Sequence, residues 1–181
     1  DLAWSRGLGD VYKRQQERTA SFQYDALGRL TNSLSGKGSA ALAAANDPQT
    51  VWDDFGTQHT YDLAGRRTST TDANGNKTLF YYDANNRLTH SVNAQGEVSE
   101  TLYTAFGQAG MSIAHAQRID TTGLSGGEVT ATLTDQLNAS DAKNRISQFQ
   151  YDNRGLLTQS IDPLGYTCLL YTSPSPRDQA K

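Results

Sequence analysis

The 181-residue chain has few of the residues that usually build metal or redox sites. It has one cysteine and three histidines, namely His59, His90 and His115. One cysteine excludes an internal disulfide framework, and the histidines lack the cysteine or carboxylate spacing of a metal centre. No apolar run reaches the length that spans a bilayer. The sequence therefore predicts no cofactor, no metal site and no membrane span.

Two sequence signatures of enzymes are also absent, because no phosphate-binding Gly-rich loop and no His-Glu-x-x-His sequence occur. Lysine and arginine number 16 against 19 aspartates and glutamates, a net charge of −3 without a basic stripe. This balance argues against nucleic acid as a partner. We expect no catalytic residue in the chain, and histidines that are solvated or half-buried on strands.

What the chain does have is a repeated phrase that begins with Tyr-Asp. Its copies start at Tyr24, Tyr61, Tyr82 and Tyr151, and the two best-aligned copies are 21 residues apart. Self-similarity at a period near 20 residues is typical of repeat proteins, in which each unit buries its apolar face only against its neighbours. The aspartate is expected to close a turn, because its carboxylate accepts a backbone N–H two residues on.

A second turn keeps the same register. Gly75, Gly96 and Gly165 each lie 14 residues after the tyrosine of a copy, and Tyr103 begins a degraded copy without its aspartate. Before the last copy, Asn144 stands where glycine is expected. Glycine and asparagine adopt positive φ most readily, so the exchange is predicted to keep the turn.

Between the turns, the chain alternates with the period of a β-strand. In Thr78–Tyr82, Leu79 and Tyr81 share one face while Thr78, Phe80 and Tyr82 share the other. Each repeat is therefore predicted to be two strands joined by tight turns. The predicted fold class is all-β, an antiparallel β-sheet meander that continues through consecutive repeats.

The repeat region is predicted to cover residues 16–167, with two spacers that interrupt it. Clear repeats fall near residues 22–34, 61–82, 82–103 and 141–165. The first spacer, about residues 35–50, is either an exposed loop or a short helix turn around residues 40–45, and an exposed insertion is favoured. The second spacer, about residues 107–139, is expected to continue as degenerate repeats.

Both ends of the chain have an unusual coding pattern. Ser5–Gln15 and Cys168–Arg177 can be written as translations of opposite strands of one oligonucleotide, which resembles a transposase-type sequencing adapter. We therefore interpret residues 1–15 and 168–181 as adapter-derived and exclude them from fold reasoning. The repeats are then cut at both ends, so we expect a piece of a longer protein whose terminal strands lack caps.

The repeats resemble the Rhs/YD-repeat family. The resemblance is carried by Tyr-Asp-x-x-Gly-Arg-Leu-Thr at Tyr24–Thr31, by the Asp-x-x-Gly turn at Asp72–Gly75 and by Thr-x-Phe-x-Tyr-Asp at Thr78–Asp83. It implies a long β-sheet ribbon that coils into a hollow shell. In bacterial members, the shell is part of a large secreted or surface toxin and encloses a C-terminal toxic domain. The implied partners are the adjacent YD repeats and that toxin domain of the same chain.

The repeated residues are given a structural role, in which tyrosines stack along the sheet and aspartates close turns. Arg29, Arg66 and Arg87 are expected either to pair with Asp25, Asp62 and Asp83 of neighbouring turns or to lie on a solvated face, and local pairing is favoured. The repeat signature comprises Tyr24, Asp25, Gly28, Arg29, Tyr61, Asp62, Gly65, Arg66, Gly75, Tyr82, Asp83, Asn86, Arg87, Gly96, Tyr103, Gly107, Tyr151, Asp152, Gly155 and Gly165.

Two other functions stay open at this point. The spaced tyrosines also suit a ladder that binds surface glycans, which would indicate a cell-surface adhesin or carbohydrate-binding protein without toxin cargo. The third alternative is an enzyme whose active site lies outside these residues. The favoured prediction is a structural container segment of a secreted or cell-surface bacterial protein, without catalytic activity of its own.

Overall fold

The computed structural model describes residues 20–137 and 141–170. The strands and helices of these residues belong to two compact units. Of the described residues, the first unit comprises residues 20–79 and Ser125–Gly127, and the second comprises Phe80–Leu124 and residues 128–137 and 141–170.

Strands of the first unit follow one another along the chain and pair antiparallel with their sequence neighbours. The register shifts by one residue at Tyr24 and again at Tyr61, directly before the turn that each tyrosine precedes. The strands are β1 (Ala20–Tyr24), β2 (Leu30–Ser35), β3 (Thr57–Tyr61), β4 (Arg67–Thr71) and β5 (Lys77–Tyr82), of which β5 enters the second unit at Phe80.

The first spacer forms two helices, α1 (Lys37–Ala44) and α2 (Pro48–Phe55). Asp47 caps the N-terminus of helix α2, and its carboxylate accepts the N–H of Gln49 at 3.0 Å. Val51 and Trp52 of this helix form a buried cluster with Leu34 of β2. The expected exposed insertion is therefore corrected to a packed helical pair, because its apolar side chains find a partner on the neighbouring strand.

The second unit continues the meander in the same antiparallel pattern. Strand β7 pairs with β6 and β8, β8 pairs with β10, and β11 pairs with β10 and β12. The bounds are β6 (Leu88–Val92), β7 (Val98–Tyr103), β8 (Ala109–Ala114), β9 (Gly127–Glu128), α3 (Ala131–Thr134), β10 (Arg145–Tyr151), β11 (Leu157–Ile161) and β12 (Thr167–Leu169).

Residues 115–137 leave the meander instead of adding degenerate repeats to it. Strand β8 pairs directly with β10, so the chain between them is an excursion whose regular structure is limited to β9 and α3 among the described residues. Ile119, Leu124 and Leu133 of this excursion are buried. The degenerate repeats predicted at about residues 107–139 are not met in residues 115–137, where the chain leaves the meander between β8 and β10.

Burial follows the predicted alternation. In β5, Leu79 and Tyr81 are buried while Thr78, Phe80 and Tyr82 are half-buried. In β6, His90 and Val92 are buried. The predicted all-β antiparallel meander is confirmed. Among the described residues, no helix is long and apolar enough to cross a bilayer.

The two end segments fall mostly outside the described residues, and residues 1–15 lie there entirely. Cys168 and Leu169, assigned to the adapter-derived end, form the last two residues of β12, opposite Ser160 and Gln159 of β11. All three residues of β12 are exposed. Backbone hydrogen bonds between strands do not depend on particular side chains. The pairing of β12 therefore does not test whether Cys168 and Leu169 are adapter-derived, and that origin stays a prediction.

Candidate functional site: the repeat turns and their clasps

Each Tyr-Asp phrase folds into the same five-residue turn, of which Asp25–Arg29 is the clearest example. The Asp25 carboxylate oxygen Oδ1 accepts the N–H groups of Leu27 and Arg29, both at 2.9 Å. The N–H of Asp25 donates to the Arg29 carbonyl at 2.9 Å, and the N–H of Gly28 donates to the Asp25 carbonyl at 3.0 Å. The carboxylate thereby satisfies donors that the turn would otherwise leave to water.

This turn recurs at every Tyr-Asp copy and at the return turns between repeats. The same pair of backbone hydrogen bonds closes the turns that start at Asp62, Asp83 and Asp152, and those that start at Asp72, Asn93 and Asp162. In the degraded copy, Thr104 replaces the aspartate and its Oγ1 accepts the Gln108 N–H at 3.2 Å. The turn therefore needs a side-chain acceptor at its first position rather than a negative charge.

The fourth position of these turns has positive φ. Glycines occupy it with φ between 76° and 86° at Gly28, Gly65, Gly75, Gly96, Gly107, Gly155 and Gly165, and Asn86 occupies it with φ of 61°. Asn86 is the only non-glycine residue with positive φ in residues 20–137 and 141–170. Asn144 still donates to the Asp141 carbonyl at 3.0 Å but has no positive φ, so the predicted conformational equivalence of Asn144 and glycine is wrong.

The turn arginines pair with the aspartate of their own turn. Oδ2 of the aspartate is 2.6 Å from a guanidinium nitrogen in Asp25–Arg29, Asp62–Arg66 and Asp83–Arg87. These are the three arginine–aspartate pairs that the sequence suggested, and each joins residues of a single turn. In the last copy Leu156 takes the arginine place, and the exposed Arg154 reaches Asp152 at 3.3 Å instead.

Hydrogen bonds from the arginine of the same turn lower the pKa of Asp25, Asp62 and Asp83. For Asp83, the side-chain hydrogen bond from Arg87 is the main cause. For Asp62, burial raises the pKa, but the side-chain and backbone hydrogen bonds from Arg66 outweigh it and hold the pKa below 3.8. Because the folded-state pKa is lower than the unfolded one, this stabilisation is present above about pH 3.8 and is lost as the pH falls through the folded-state value.

A tyrosine of the following repeat ties the Asp25–Arg29 turn to its neighbour. The Tyr61 hydroxyl donates to the Leu30 carbonyl at 2.8 Å, and the Arg29 guanidinium lies 4.9 Å from the centre of the Tyr61 ring. Arg29 Nη1 also donates to the Asp62 carbonyl at 3.1 Å. We call this set of contacts between successive turns a clasp, here formed by Arg29, Leu30, Tyr61 and Asp62.

The clasp recurs in the second unit. The Tyr103 hydroxyl donates to the Leu88 carbonyl at 2.8 Å, and the Arg87 guanidinium lies 4.6 Å from the Tyr103 ring centre. At the next junction, the Tyr151 hydroxyl donates to the Ala109 carbonyl at 2.9 Å. Gln108 takes the arginine place there and donates to the Gly155 carbonyl at 3.1 Å. A repeat can therefore lose the arginine and keep its link to the next one.

The clasp weighs against a glycan-binding ladder. Sugar stacking needs an open aromatic face and free polar groups around it. The hydroxyls of Tyr61, Tyr103 and Tyr151 already donate to backbone carbonyls, and arginines lie over the rings of the first two. Tyr24, in contrast, is 61 % exposed.

Two histidines were misjudged from the sequence. His90 and His115 are buried rather than solvated or half-buried, and both lie beside Glu100. The sequence did contain a signal for the pair of His90 and Glu100. The turn at Asn93 joins two strands, and pairing these strands across the turn places His90 opposite Glu100. His59 agrees with the prediction, since it is half-buried and its Nδ1 lies 3.0 Å from Thr70 Oγ1. No group of three or more metal-ligating side chains suited to an ion occurs within the described ranges.

Replacement of Asp62 should separate the acceptor role of the turn aspartate from its charge. Asp62→Ala removes the acceptor of the Arg66 N–H and the ion pair, and we expect a loss of about 1–3 kcal/mol in the free energy of unfolding. Asp62→Asn keeps an Oδ1 acceptor, as Asn93 does naturally for the N–H groups of Gln95 and Glu97. Its cost should be clearly smaller in urea unfolding; equal losses would show that the charge, not the acceptor, holds the turn.

One part of the repeat region matches a known protein family. Residues 61–98 match the family model described as RHS Repeat. This stretch contains the turns that start at Asp62, Asp72, Asp83 and Asn93. A search of curated proteins finds no match.

Solved structures give a weaker likeness. A Photorhabdus luminescens Tc holotoxin pore is 16 % identical over 85 % of this chain, with a TM-score of 0.36. A TcdB2-TccC3 structure without its hypervariable C-terminal region is 17 % identical over 85 % of this chain, with a TM-score of 0.35. This chain spans about 10 % of the length of each. From the family match, and as the resemblance predicted, the chain carries an RHS repeat at residues 61–98.

Proposed function

We propose that this chain is a structural wall segment of a large secreted or surface bacterial Rhs/YD-repeat protein, whose shell encloses a C-terminal toxin domain. The observation that carries the proposal is the clasp. It links successive turns by side chains of the repeat signature itself, so the signature residues hold the sheet together. A wall built this way has no need of a bound ligand.

The mechanism is physical enclosure. A meander of clasped hairpins can be extended by adding repeats, and each added hairpin pairs with an edge that would otherwise be open. The partners proposed for this segment are therefore the repeats on either side and, across the inner wall, the cargo domain. No catalytic role is assigned to its own residues.

A cell-surface adhesin without cargo is the second candidate, and one feature favours it. The turns at Thr104–Gln108 and Asp152–Leu156 border a groove of about 910 Å³ that contains Phe106, Phe149 and Tyr151. Phe106 is 92 % exposed. An exposed aromatic side chain beside amide and guanidinium groups suits a glycan, so binding of the intact protein to a glycan panel with loss in Phe106→Ala would support this candidate.

Protease protection of the full-length protein tests enclosure. Long-read sequencing from the codons of residues 16–167 would supply the complete gene, and the purified protein would be treated with protease in native buffer. If the repeats form a shell, the domain after them stays intact until mild denaturant opens the wall, and is then digested rapidly. A domain digested equally fast before and after opening, or a gene without any distinct domain after the repeats, would refute the container function.

A further inference from the structure

The second unit contains a buried cluster that the repeat signature does not explain. It consists of His90 on β6, Glu100 on β7 and His115 directly after β8. His115 Nε2 lies 2.8 Å from Glu100 Oε2, and His90 Nε2 lies 3.7 Å from Glu100 Oε1. The side chains of His90, Glu100 and His115 are 10 %, 14 % and 2 % exposed. Two imidazoles thus share one carboxylate away from water.

The backbone holds the three side chains in place. His90 and Glu100 are direct partners in the β6–β7 ladder, and Glu100 is opposite Ile113 in the β7–β8 ladder. The His115 N–H donates to the Val98 carbonyl at 2.9 Å. The side chains cannot separate without disturbing the pairing of three neighbouring strands.

Charge counting shows what acid does to this cluster. With both imidazoles neutral, His115 donates to the Glu100 carboxylate, while His90 is too far from Oε1 for a hydrogen bond. One added proton is balanced by the carboxylate. A second proton leaves one uncompensated positive charge in a site where water is largely excluded, which is unfavourable.

Glu100 is the carboxylate that the structure places against both imidazoles, and the nearby Glu97 is already paired with a cation. The charged and titratable groups that act on His90 are Glu100 and His115. Its own strand contributes Thr89, whose Oγ1 lies 3.0 Å from His90 Nδ1, and β5 contributes the Tyr81 carbonyl that accepts the Thr89 hydroxyl at 3.2 Å. A pocket lined by His115 is also lined by the cations Arg118, Lys143 and Arg145 and by Glu97, and Glu97 is paired with Arg118 at 2.6 Å.

We propose that His90, Glu100 and His115 form an acid-sensitive latch, in which proton uptake by the imidazoles weakens the pairing of β6, β7 and β8. The latch is independent of whether the protein encloses a toxin. It predicts that this part of the sheet loosens when the surrounding medium becomes acidic, while β1 and β2, which contain no histidine, keep their protection.

The sign of the effect follows from the state of His90. Burial is the main cause that lowers the pKa of His90 below 6.5; Glu100 opposes the shift and His115 adds to it. Because the unfolded state takes up the proton more readily, the stability contribution is complete above about pH 6.5 and is lost as the pH falls through the lower folded-state value.

Hydrogen exchange of the whole chain, followed by mass spectrometry at pH 7.5 and pH 5.5 and corrected for intrinsic exchange rates, tests the latch. We expect peptides within residues 88–114 to lose protection several-fold at the lower pH, and peptides of β1 and β2 to change much less. Unchanged protection of residues 88–114 across this pH range would overturn the proposal.

Two variants assign the effect to the cluster. The double variant His90→Gln with His115→Gln keeps side-chain donors but cannot take up the protons, so it should keep its protection at pH 5.5. His59→Gln, a histidine of β3 outside the cluster, is the matched control and should lose protection in residues 88–114 as the parent does. The same loss in the double variant as in the parent would contradict the latch.

A third variant covers the case in which the double variant fails to fold. Glu100→Gln removes the carboxylate that balances a proton on His90, so its loss of protection in acid should exceed that of the parent. A loss equal to or smaller than the parent's would overturn the proposal. Imidazole NMR signals of the parent supply an independent readout, since His90 should titrate below pH 6.5 in the folded chain; titration at or above this value would also contradict it.

Discussion

Replacement of Trp52 with alanine is expected to lower the free energy of unfolding of the first unit by about 3–5 kcal/mol, the usual cost of deleting a large buried aromatic side chain. Trp52 is 5 % exposed and packs with Val51 and with Leu34, which is 1 % exposed. The substitution leaves a cavity between α2 and β2 that the short helices cannot close without losing their contact with the strand. Urea unfolding followed by far-ultraviolet circular dichroism measures the loss.

Phe55→Ala is the matched control on the same helix. Phe55 is 48 % exposed, so less apolar area leaves water when it folds and the cost should be less than half that of Trp52→Ala. If both substitutions cost the same, or if neither changes stability, the helical pair is not packed on β2 as described. The sequence-based expectation of an exposed insertion would then be the better account.

Gly96→Ala is expected to have the second-largest effect. Gly96 has φ of 78°, which costs an alanine about 1 kcal/mol or more. An added Cβ would also lie 2.1 Å from the Ile119 carbonyl oxygen, so the backbone of the excursion would have to move. That movement breaks the hydrogen bond from the Ile119 N–H to the Gly96 carbonyl and exposes the buried Ile119. Overpacking of this kind costs about 1–3 kcal/mol in addition.

Gly75→Ala separates the two causes. Gly75 occupies the same turn position with φ of 81°, but its added Cβ would meet nothing within 4 Å. It should therefore show the conformational cost alone. Asparagine sharpens the comparison, because Asn86 adopts this conformation naturally. Gly75→Asn should be nearly neutral and Gly96→Asn still strongly destabilising in thermal unfolding; equal effects at both sites would contradict the docking of Ile119 on Gly96.

Local sequence signals were sufficient for the repeats. The alternation of Leu79 and Tyr81 with their polar neighbours predicts β5 and its buried face, and aspartate followed by glycine predicts the turns. Both signals act within a few residues, so they do not depend on where the rest of the chain lies. The antiparallel meander follows from them because each turn is too short for any other connection.

The remaining features depend on contacts distant in sequence. Trp52 has no local partner, and its burial requires Leu34 on a strand that precedes both helices. The excursion after β8 could not be separated from degenerate repeats, because its position is set by Ile119 against Gly96. The clasp between Arg29 and Tyr61 likewise spans the helical insertion, so spacing alone could not show which arginine meets which tyrosine.

The His90–Glu100 pair is intermediate between features set by local sequence and features set by distant contacts. Both residues flank one tight turn, so the register of a single hairpin brings them together. The pair is not seen when each histidine is considered only within its own repeat. The boundary between repeats falls between β6 and β7, which are partners in the sheet. His115 joins them only because β8 returns beside β7. Pairing hairpins across the return turns is the step that would have found the cluster.

Electron cryo-microscopy of the full-length protein that contains this segment tests the central claim most directly. If the chain is a wall segment, the map should show a closed hollow shell in which the clasped hairpins of residues 20–137 and 141–170 form part of a continuous sheet around an internal domain. An open sheet, or repeats folded into a solid domain with no internal space, would contradict the account.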